Sequence, residues 1–310
     1  MGTAKFLFVG VGSIAKRHIR NLRKIESEQG LSFVIDAFRR NGGGAESVDH
    51  VYSDIASITD IYDAVFITNP TEKHLETLKI FHSLGKNFFI EKPVVSLDQL
   101  EEASSFELKS DAVYYVACPL RYNAVIKYIH DNINPSEVVS VRSISSSYLP
   151  DWRPGQDYRT TYSAHKSMGG GVSIDLIHEW DYLTYLFGWP TKVSGFIGKK
   201  SSLEIDSDDY AIYIAEYADK ICELHLDYFG RKTIREVQLF THDETIVGDI
   251  AGNKISFLKS GDVIDFNEER DDYQIRELKC FLDMISNKAE VENGFVHGTK
   301  VLHLTQGEVT

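Results

Sequence analysis

The feature that most narrows what this chain can fold into is a glycine turn close to its start. An apolar run, Lys5-Phe6-Leu7-Phe8-Val9, passes at once into Gly10-Val11-Gly12-Ser13-Ile14-Ala15. In the pattern G-x-G-x-x-A between a strand and a helix, each small residue has a physical reason. Gly10 permits the tight turn, Gly12 lets the backbone approach a pyrophosphate, and Ala15 keeps the helix close to the strand. The helix over 13–25 then offers the unpaired N–H groups of its first turn, beginning at Ser13 and Ile14, to an anion at its positive end. These residues predict dinucleotide binding. A glycine turn that serves only packing is the plainer alternative.

Strand and helix signals go on alternating along the first half of the chain. Strands are predicted over 32–38, 62–68, 87–90 and 112–117, with helices over 72–83 and 97–109 between them. Such alternation is the signature of a parallel sheet covered by helices. The strand at 32–38 ends in Arg39-Arg40, where the adenosine ribose of a dinucleotide normally lies. Arginine there suits the 2′-phosphate of NADP, while an acid suits the free hydroxyl of NAD. Asp36 is the acidic candidate but lies inside the strand, so the tip favours NADP over NAD; a solvated basic turn is the alternative. After the strand at 62–68, Asn69, Pro70 and His74 are expected on the nicotinamide side of the crevice. The strand at 87–90 runs into Glu91-Lys92-Pro93, because proline cannot continue a ladder. Lys92 at the carboxyl end of such a strand lies on the rim where open α/β sheets bind ligands, placed to donate a proton or polarise a substrate oxygen. A surface pair between Glu91 and Lys92 would be the bland reading.

At 310 residues the chain exceeds what one hydrophobic core usually serves, which predicts two domains, 1–118 and 119–310. A net charge of −13 argues against nucleic acid or an anionic membrane as the main partner. No signal-peptide pattern opens the chain and no apolar stretch approaches the ~20 residues of a membrane span. Cys118, Cys222 and Cys280 are scattered, so neither a disulfide framework nor a metal site is expected, and a reducing cytoplasm is the natural compartment.

In the second half a helix over 123–131 and a long strand over 138–148 lead to a loop rich in turn formers, aromatic residues and arginine, Pro150 to Ser163. With Arg121 and Tyr122 just upstream, its Trp152, Arg153, Tyr158 and Arg159 are candidates for holding a sugar, or a carboxylate or phosphate on one. Gly169-Gly170-Gly171 then opens what reads as one helix to 186, carrying Asp175, His178, Glu179 and Asp181. Residues three apart share a helix face, so Asp175 and His178 make a base with an orienting acid, unless the spacing only stabilises the helix. Successive strands are expected over 192–266, giving a sheet with a face suited to subunit contact. A last helix is expected over 272–286, with 289–310 as a tail.

Four elements together, Gly10-Val11-Gly12, Asn69-Pro70-Thr71-Glu72-Lys73-His74, Glu91-Lys92-Pro93 and the glycine-led segment 169–181, resemble the glucose–fructose oxidoreductase/inositol dehydrogenase/rhizopine-catabolism (Gfo/Idh/MocA) family over nearly the whole chain. The resemblance implies an α/β fold: a Rossmann domain and a second α/β domain built on a large, open, mixed or antiparallel sheet. It also implies a homodimer or homotetramer that oxidises a sugar-like secondary alcohol, or reduces its ketone, with NADP or NAD. Lys92, Asp175 and His178 are then the catalytic set, and Gly10, Gly12, Ser13, Ile14, Arg39, Arg40, Asn69, Pro70, His74, Glu91 and Lys92 the cofactor side. Many members carry the histidine four residues after the aspartate, where this chain has Glu179. The form Asp-x-x-His-Glu-x-Asp resembles a branch linked to surface-glycan and nonulosonic-acid sugars. The same fold also includes a dinucleotide-dependent regulator without turnover, and enzymes that eliminate a leaving group through a transient ketone.

Overall fold

The computed structural model describes residues 2–287 and 289–310. It divides into two units, Met1–Pro119 with Arg270–Thr299, and Leu120–Glu269 with Lys300–Thr310.

The first unit is a six-stranded, wholly parallel sheet. Its strands are β1 (Ala4–Val9), β2 (Phe33–Phe38), β3 (His50–Tyr52), β4 (Ala64–Ile67), β5 (Phe88–Ile90) and β6 (Tyr114–Val116), ordered β3-β2-β1-β4-β5-β6. The order reverses at β1, which pairs with both β2 and β4, and that reversal is where such sheets open a crevice for ligands. Helix α1 (Ser13–Gln29) buries Ala15, His18, Ile19, Leu22 and Ile25, residues three or four apart that form one stripe. It stops at Gly30, whose left-handed conformation (φ 63°) lets its N–H reach the Glu26 carbonyl. Helix α2 (His74–Phe81) and the shorter α3 (Leu100–Ser104) follow, so the helix expected over 97–109 is cut short. The edge strand β3 carries only three residues and no apolar alternation, which hid it from the sequence.

The boundary expected at 118 is corrected by α7 (Arg270–Ile285). A parallel sheet must be covered on both faces, and α7 covers this one. Its Phe281, fully buried, meets Phe66 and Phe89 edge-on at 5.7 and 5.2 Å, and the Tyr115 hydroxyl donates to Glu277 at 3.0 Å. Burying such an aromatic side chain contributes about 1.5–3 kcal/mol, a strong reason for the chain to return. The expected tail at 289–310 likewise contains a helix, α8 (Phe295–Leu304).

The second unit is built on an eight-stranded mixed sheet. It comprises β7 (Val138–Tyr148), β8 (Lys192–Gly198), β9 (Tyr210–Glu216), β10 (Ile221–Asp227), β11 (Phe229–Thr241), β12 (Thr245–Asp249), β13 (Lys254–Phe257) and β14 (Val263–Asp265), ordered β14-β13-β12-β11-β7-β10-β9-β8. Only β7 and β10 run parallel. Helix α4 (Ala124–Asn132) starts on Asn123, whose side chain accepts from the Val125 N–H. The long helix expected over 169–186 is two pieces, α5 (Val172–Asp175) and α6 (His178–Phe187). The chain leaves helical geometry at Leu176 (φ −99°, ψ 31°). Helix α6 buries Trp180 and Leu183, and its Tyr182 hydroxyl lies 2.6 Å from Ser143 of β7. The opposite face of the sheet presents Phe196, 71% exposed, with Ile214 and Ile221.

Candidate functional site

In the first unit the glycine turn takes the geometry its sequence demands. Gly10 has φ +91°, and a Cβ there would sit 2.8 Å from the Asn69 Cα, so only glycine fits between β1 and the loop after β4. The Thr68 hydroxyl donates to the Gly10 carbonyl at 2.7 Å and fixes the turn. Gly12, by contrast, faces open space: a Cβ built on it meets no atom within 4 Å. Gly12 is also the residue preceding α1, and no acidic residue occupies that helix's first turn. A helix start with unsatisfied N–H groups and an open backbone above it fits a pyrophosphate. Asn69 adds a buried side-chain oxygen without a hydrogen-bond partner, while its amide donates to Thr77 at 2.7 Å. The residues present therefore fit a dinucleotide.

Other expected cofactor contacts have a different place. His74 is 2% exposed, with one ring nitrogen 2.9 Å from the Asn69 carbonyl and the other 3.0 Å from that of Pro93. It clamps two loops together and its ring is spent on them. Burial pushes its pKa down, against the pull of those carbonyls and of Glu91. Glu91 is likewise committed: its carboxylate lies 2.6 Å from the ring of buried His18 on α1. Both residues flank the turn bearing half-buried Lys92 and brace it. Pro70 is exposed. Asp36 is 4% exposed and accepts from the Tyr62 hydroxyl at 2.7 Å, which removes it as a ribose ligand. The Arg39 guanidinium bonds the Gly44 carbonyl, and Arg40 is exposed.

In the second unit the loop expected to line a ligand site wraps Asp175. This carboxylate, 5% exposed, ends α5 and accepts from the Tyr228 hydroxyl at 2.5 Å. Tyr162 feels the Asp175 charge as well, and both phenols are pushed up by desolvation and then by that charge, which keeps them protonated. Trp152 packs edge-on against Tyr228 (5.2 Å, 89°) and its ring N–H donates to Ser147 at 2.9 Å. The Arg153 guanidinium lies over the Tyr162 ring at 5.4 Å. Asp208 caps α5, accepting from the Ser173 N–H at 2.9 Å; burial and nearby Asp175 push its carboxyl up. Gly171 (φ +137°) makes room for it, since a Cβ would fall 2.2 Å from its carboxylate. His178 is half-buried and begins α6. The helix turns Glu179 into the sheet, fully buried, with its carboxylate 2.7 Å from Arg235 of β11.

Two expected substrate arginines have acidic partners. Arg121 is 5% exposed, holds Asp181 through two 2.7 Å hydrogen bonds and lies over Tyr185, so it braces α6 from inside. Arg159 is exposed and neutralised by Asp157 at 2.8 Å and Glu204 at 3.3 Å. The Tyr158 hydroxyl accepts from the Glu204 N–H at 3.1 Å, and Tyr122 is half-buried. Sequence reading missed Tyr162, Asp208 and Tyr228 as site residues. Tyr228 follows the alternating strand and reads as its end, and nothing local ties Asp208 to α5. Among the described residues no group of three or more His, Cys, Asp or Glu could hold a metal, and no helix is long and apolar enough to cross a membrane.

Known proteins place this geometry. Residues 4–118 match the oxidoreductase family with an NAD-binding Rossmann fold, Gfo/Idh/MocA, and residues 128–240 match that family's C-terminal domain. The chain is 26% identical to an uncharacterized oxidoreductase, YrbE, of Bacillus subtilis over 58% of its own length and 52% of the relative's. It is also 26% identical to an inositol 2-dehydrogenase of Rhizobium meliloti over 60% and 56%. It thus spans about half the length of the curated relatives it matches. In fold it is similar to a levoglucosan dehydrogenase in complex with NADH and levoglucosan (TM-score 0.84, 18% identity, 99% of this chain and 96% of that one). It is similar as well to UDP-N-acetylglucosamine 3-dehydrogenase GnnA from Acidithiobacillus ferrooxidans (TM-score 0.77, 18% identity, 99% and 96%). With both of its domains matched, the chain belongs to the Gfo/Idh/MocA oxidoreductase family.

Proposed function

We propose that this protein is an NAD(P)-dependent dehydrogenase or ketoreductase acting on a secondary alcohol, or its ketone, of a sugar or sugar derivative. The observation that carries the reading is the buried Asp175 under the Tyr228 phenol donor, with half-buried His178 three residues on. A carboxylate desolvated and held by specific partners costs stability, and such groups cluster where chemistry is done. The nicotinamide would supply the hydride acceptor or donor. Gly10, Gly12, Ser13 and Ile14 would hold its pyrophosphate, and Arg39 and Arg40 the ribose end, with NADP preferred. His178 exchanges the proton of the reacting hydroxyl, and Asp175, fixed by Tyr162 and Tyr228, orients the imidazole or a second hydroxyl. Lys92 stabilises negative charge developing on the oxygen. Trp152, Tyr158 and Tyr122 are the remaining candidates for the sugar.

The relatives and fold neighbours that act on inositol, levoglucosan and UDP-N-acetylglucosamine support a polyhydroxylated ring as substrate class. The Asp175-x-x-His178-Glu179-x-Asp181 form points further, to surface-glycan or nonulosonic-acid sugars handled in the cytoplasm. The open face of the large sheet, with Phe196, Ile214 and Ile221, would pair subunits into a dimer or tetramer. The test is a screen of ketosugars, inositols and sugar acids with both reduced and oxidised cofactors, following NAD(P)H absorbance. Turnover of any of them supports the reading. Tight cofactor binding without turnover across the screen would replace it with a dinucleotide-dependent sensor.

A further inference from the structure

We infer that Arg153 binds an anionic group of the substrate, so that the sugar this protein takes carries a carboxylate or a phosphate; the inference rests on the sugar-site reading of the second unit. Six arginines lie in that unit. Four have a carboxylate within 4.0 Å: Arg121 with Asp181, Arg142 with Glu223, Arg159 with Asp157 and Glu204, and Arg235 with Glu179. Among the described residues no acid pairs with Arg153 or Arg231, in a chain with 46 acidic and 33 basic residues. Such an arginine has no carboxylate competing with an anionic ligand for its guanidinium.

Of the two, Arg153 is tied to the site. Its guanidinium carbon lies 5.4 Å from the centre of the Tyr162 ring, and its neighbour Trp152 packs on Tyr228, whose hydroxyl bonds Asp175. Tyr162 in turn feels the Asp175 charge. The guanidinium fork, whose geometry matches a carboxylate or phosphate, is thus carried on the loop that packs against the Asp175 site. Arg231 stacks on Tyr148 at 3.8 Å, is exposed, and has no such link to Asp175.

The test titrates the NADPH-loaded protein with glucose, glucuronate and glucose 6-phosphate, reading calorimetry and tryptophan fluorescence. The expected result is that one of the two anionic sugars binds at least about tenfold more tightly than glucose, as hydrogen bonds to charged groups allow. Which of them gains decides between carboxylate and phosphate. Arg153→Met, which keeps the packing on Tyr162, should erase that preference, and Arg153→Lys should restore part of it, since lysine keeps the charge without the fork. Arg231→Met should leave the preference within about twofold. Equal binding of charged and neutral sugars overturns the role of Arg153 while leaving the sugar reading in place. So does a preference that survives Arg153→Met or moves with Arg231→Met. No binding by any of the three sugars overturns the sugar reading itself.

Discussion

Around the glycine turn, polar side chains are tied to backbone or to one another in fixed pairs: Thr68 to the Gly10 carbonyl, His74 to two carbonyls, Glu91 to His18. Around Asp175 the groups come from four separate stretches: Tyr228 donates to the acid, Tyr162 and Asp208 feel its charge, and the α5 helix carries it. The first arrangement shapes main chain, so it presents N–H groups and one lysine in set positions. The second shapes an acid, so its properties depend on which donors remain. A cofactor common to many reactions needs the former. A substrate that differs between relatives is served by the latter, since exchanging one tyrosine or arginine changes the acid without disturbing the fold.

The largest effect that separates the two regions concerns Lys92. If it stabilises charge that appears mainly in the transition state, Lys92→Ala should lower kcat by about 10²–10⁴-fold, with little change in cofactor affinity. Steady-state kinetics beside a fluorescence titration of NADPH read both. A comparable fall in cofactor affinity would assign Lys92 to the backbone-shaping set instead.

Within the first region the two glycines should part company. Gly10→Ala puts a Cβ 2.8 Å from the Asn69 Cα at φ +91°, and backbone strain of that kind costs on the order of 1–3 kcal/mol before the clash is counted. Gly12→Ala meets no atom within 4 Å and should cost under about 1 kcal/mol as a change at a helix start. The second variant should nevertheless bind NADPH more weakly by tenfold or more, because its methyl would occupy the pyrophosphate's space. Thermal melts with and without cofactor distinguish them. Equal destabilisation by both would break the account of Gly12 as the open cradle.

This contrast also explains what could be read from sequence. Gly10, Gly12 and Lys92 act where they stand, through turn geometry and a strand end, and neighbouring residues announce them. The parallel sheet followed from its strand–helix alternation, and the strand at 138–148 from its own pattern. Asp208 could not be found that way, because its role is to cap a helix 33 residues earlier in the chain, from position 208 to α5 ending at Asp175. Arg121 misled for the same reason. An arginine near a helix rich in polar residues looks like a ligand until its partner, 60 residues away, is in place. The return of α7 to the first unit turned on Phe281 meeting Phe66 and Phe89, a long-range contact with no local mark.

In the second region, Tyr228→Phe removes the phenol that donates to Asp175. A hydrogen bond to a charged group is worth about 1.5–3 kcal/mol, so kcat should fall by about tenfold or more while NADPH affinity holds. Tyr162→Phe should act in the same direction. The double variant should lose more than either alone but less than the product, since both phenols respond to one carboxylate. Additive losses would mean that the phenols act separately and that Asp175 is not their common centre.

The smallest expected effect tests whether the backbone clamps are as passive as they look. His74 has a carbonyl at each ring nitrogen, and a neutral imidazole can donate to only one of them. Its burial nevertheless pushes the pKa below the ordinary 6.5, and that cause outweighs the carbonyls and Glu91. The folded protein therefore binds fewer protons here than the unfolded chain, so this contribution is complete above about pH 6.5 and is lost as the pH falls from there towards the folded pKa. Each pH unit within that window costs at most about 1.4 kcal/mol. His74→Gln cannot titrate, so melting temperatures between pH 7.5 and 5.5 should fall further for the wild type than for the variant. A wild-type curve that falls less than the variant's would instead mean that the two carbonyls hold the ring as a cation. The clamp between the Asn69 and Pro93 loops would then carry a positive charge behind the glycine turn, and the first region would owe part of its pull on a phosphate to a side chain after all.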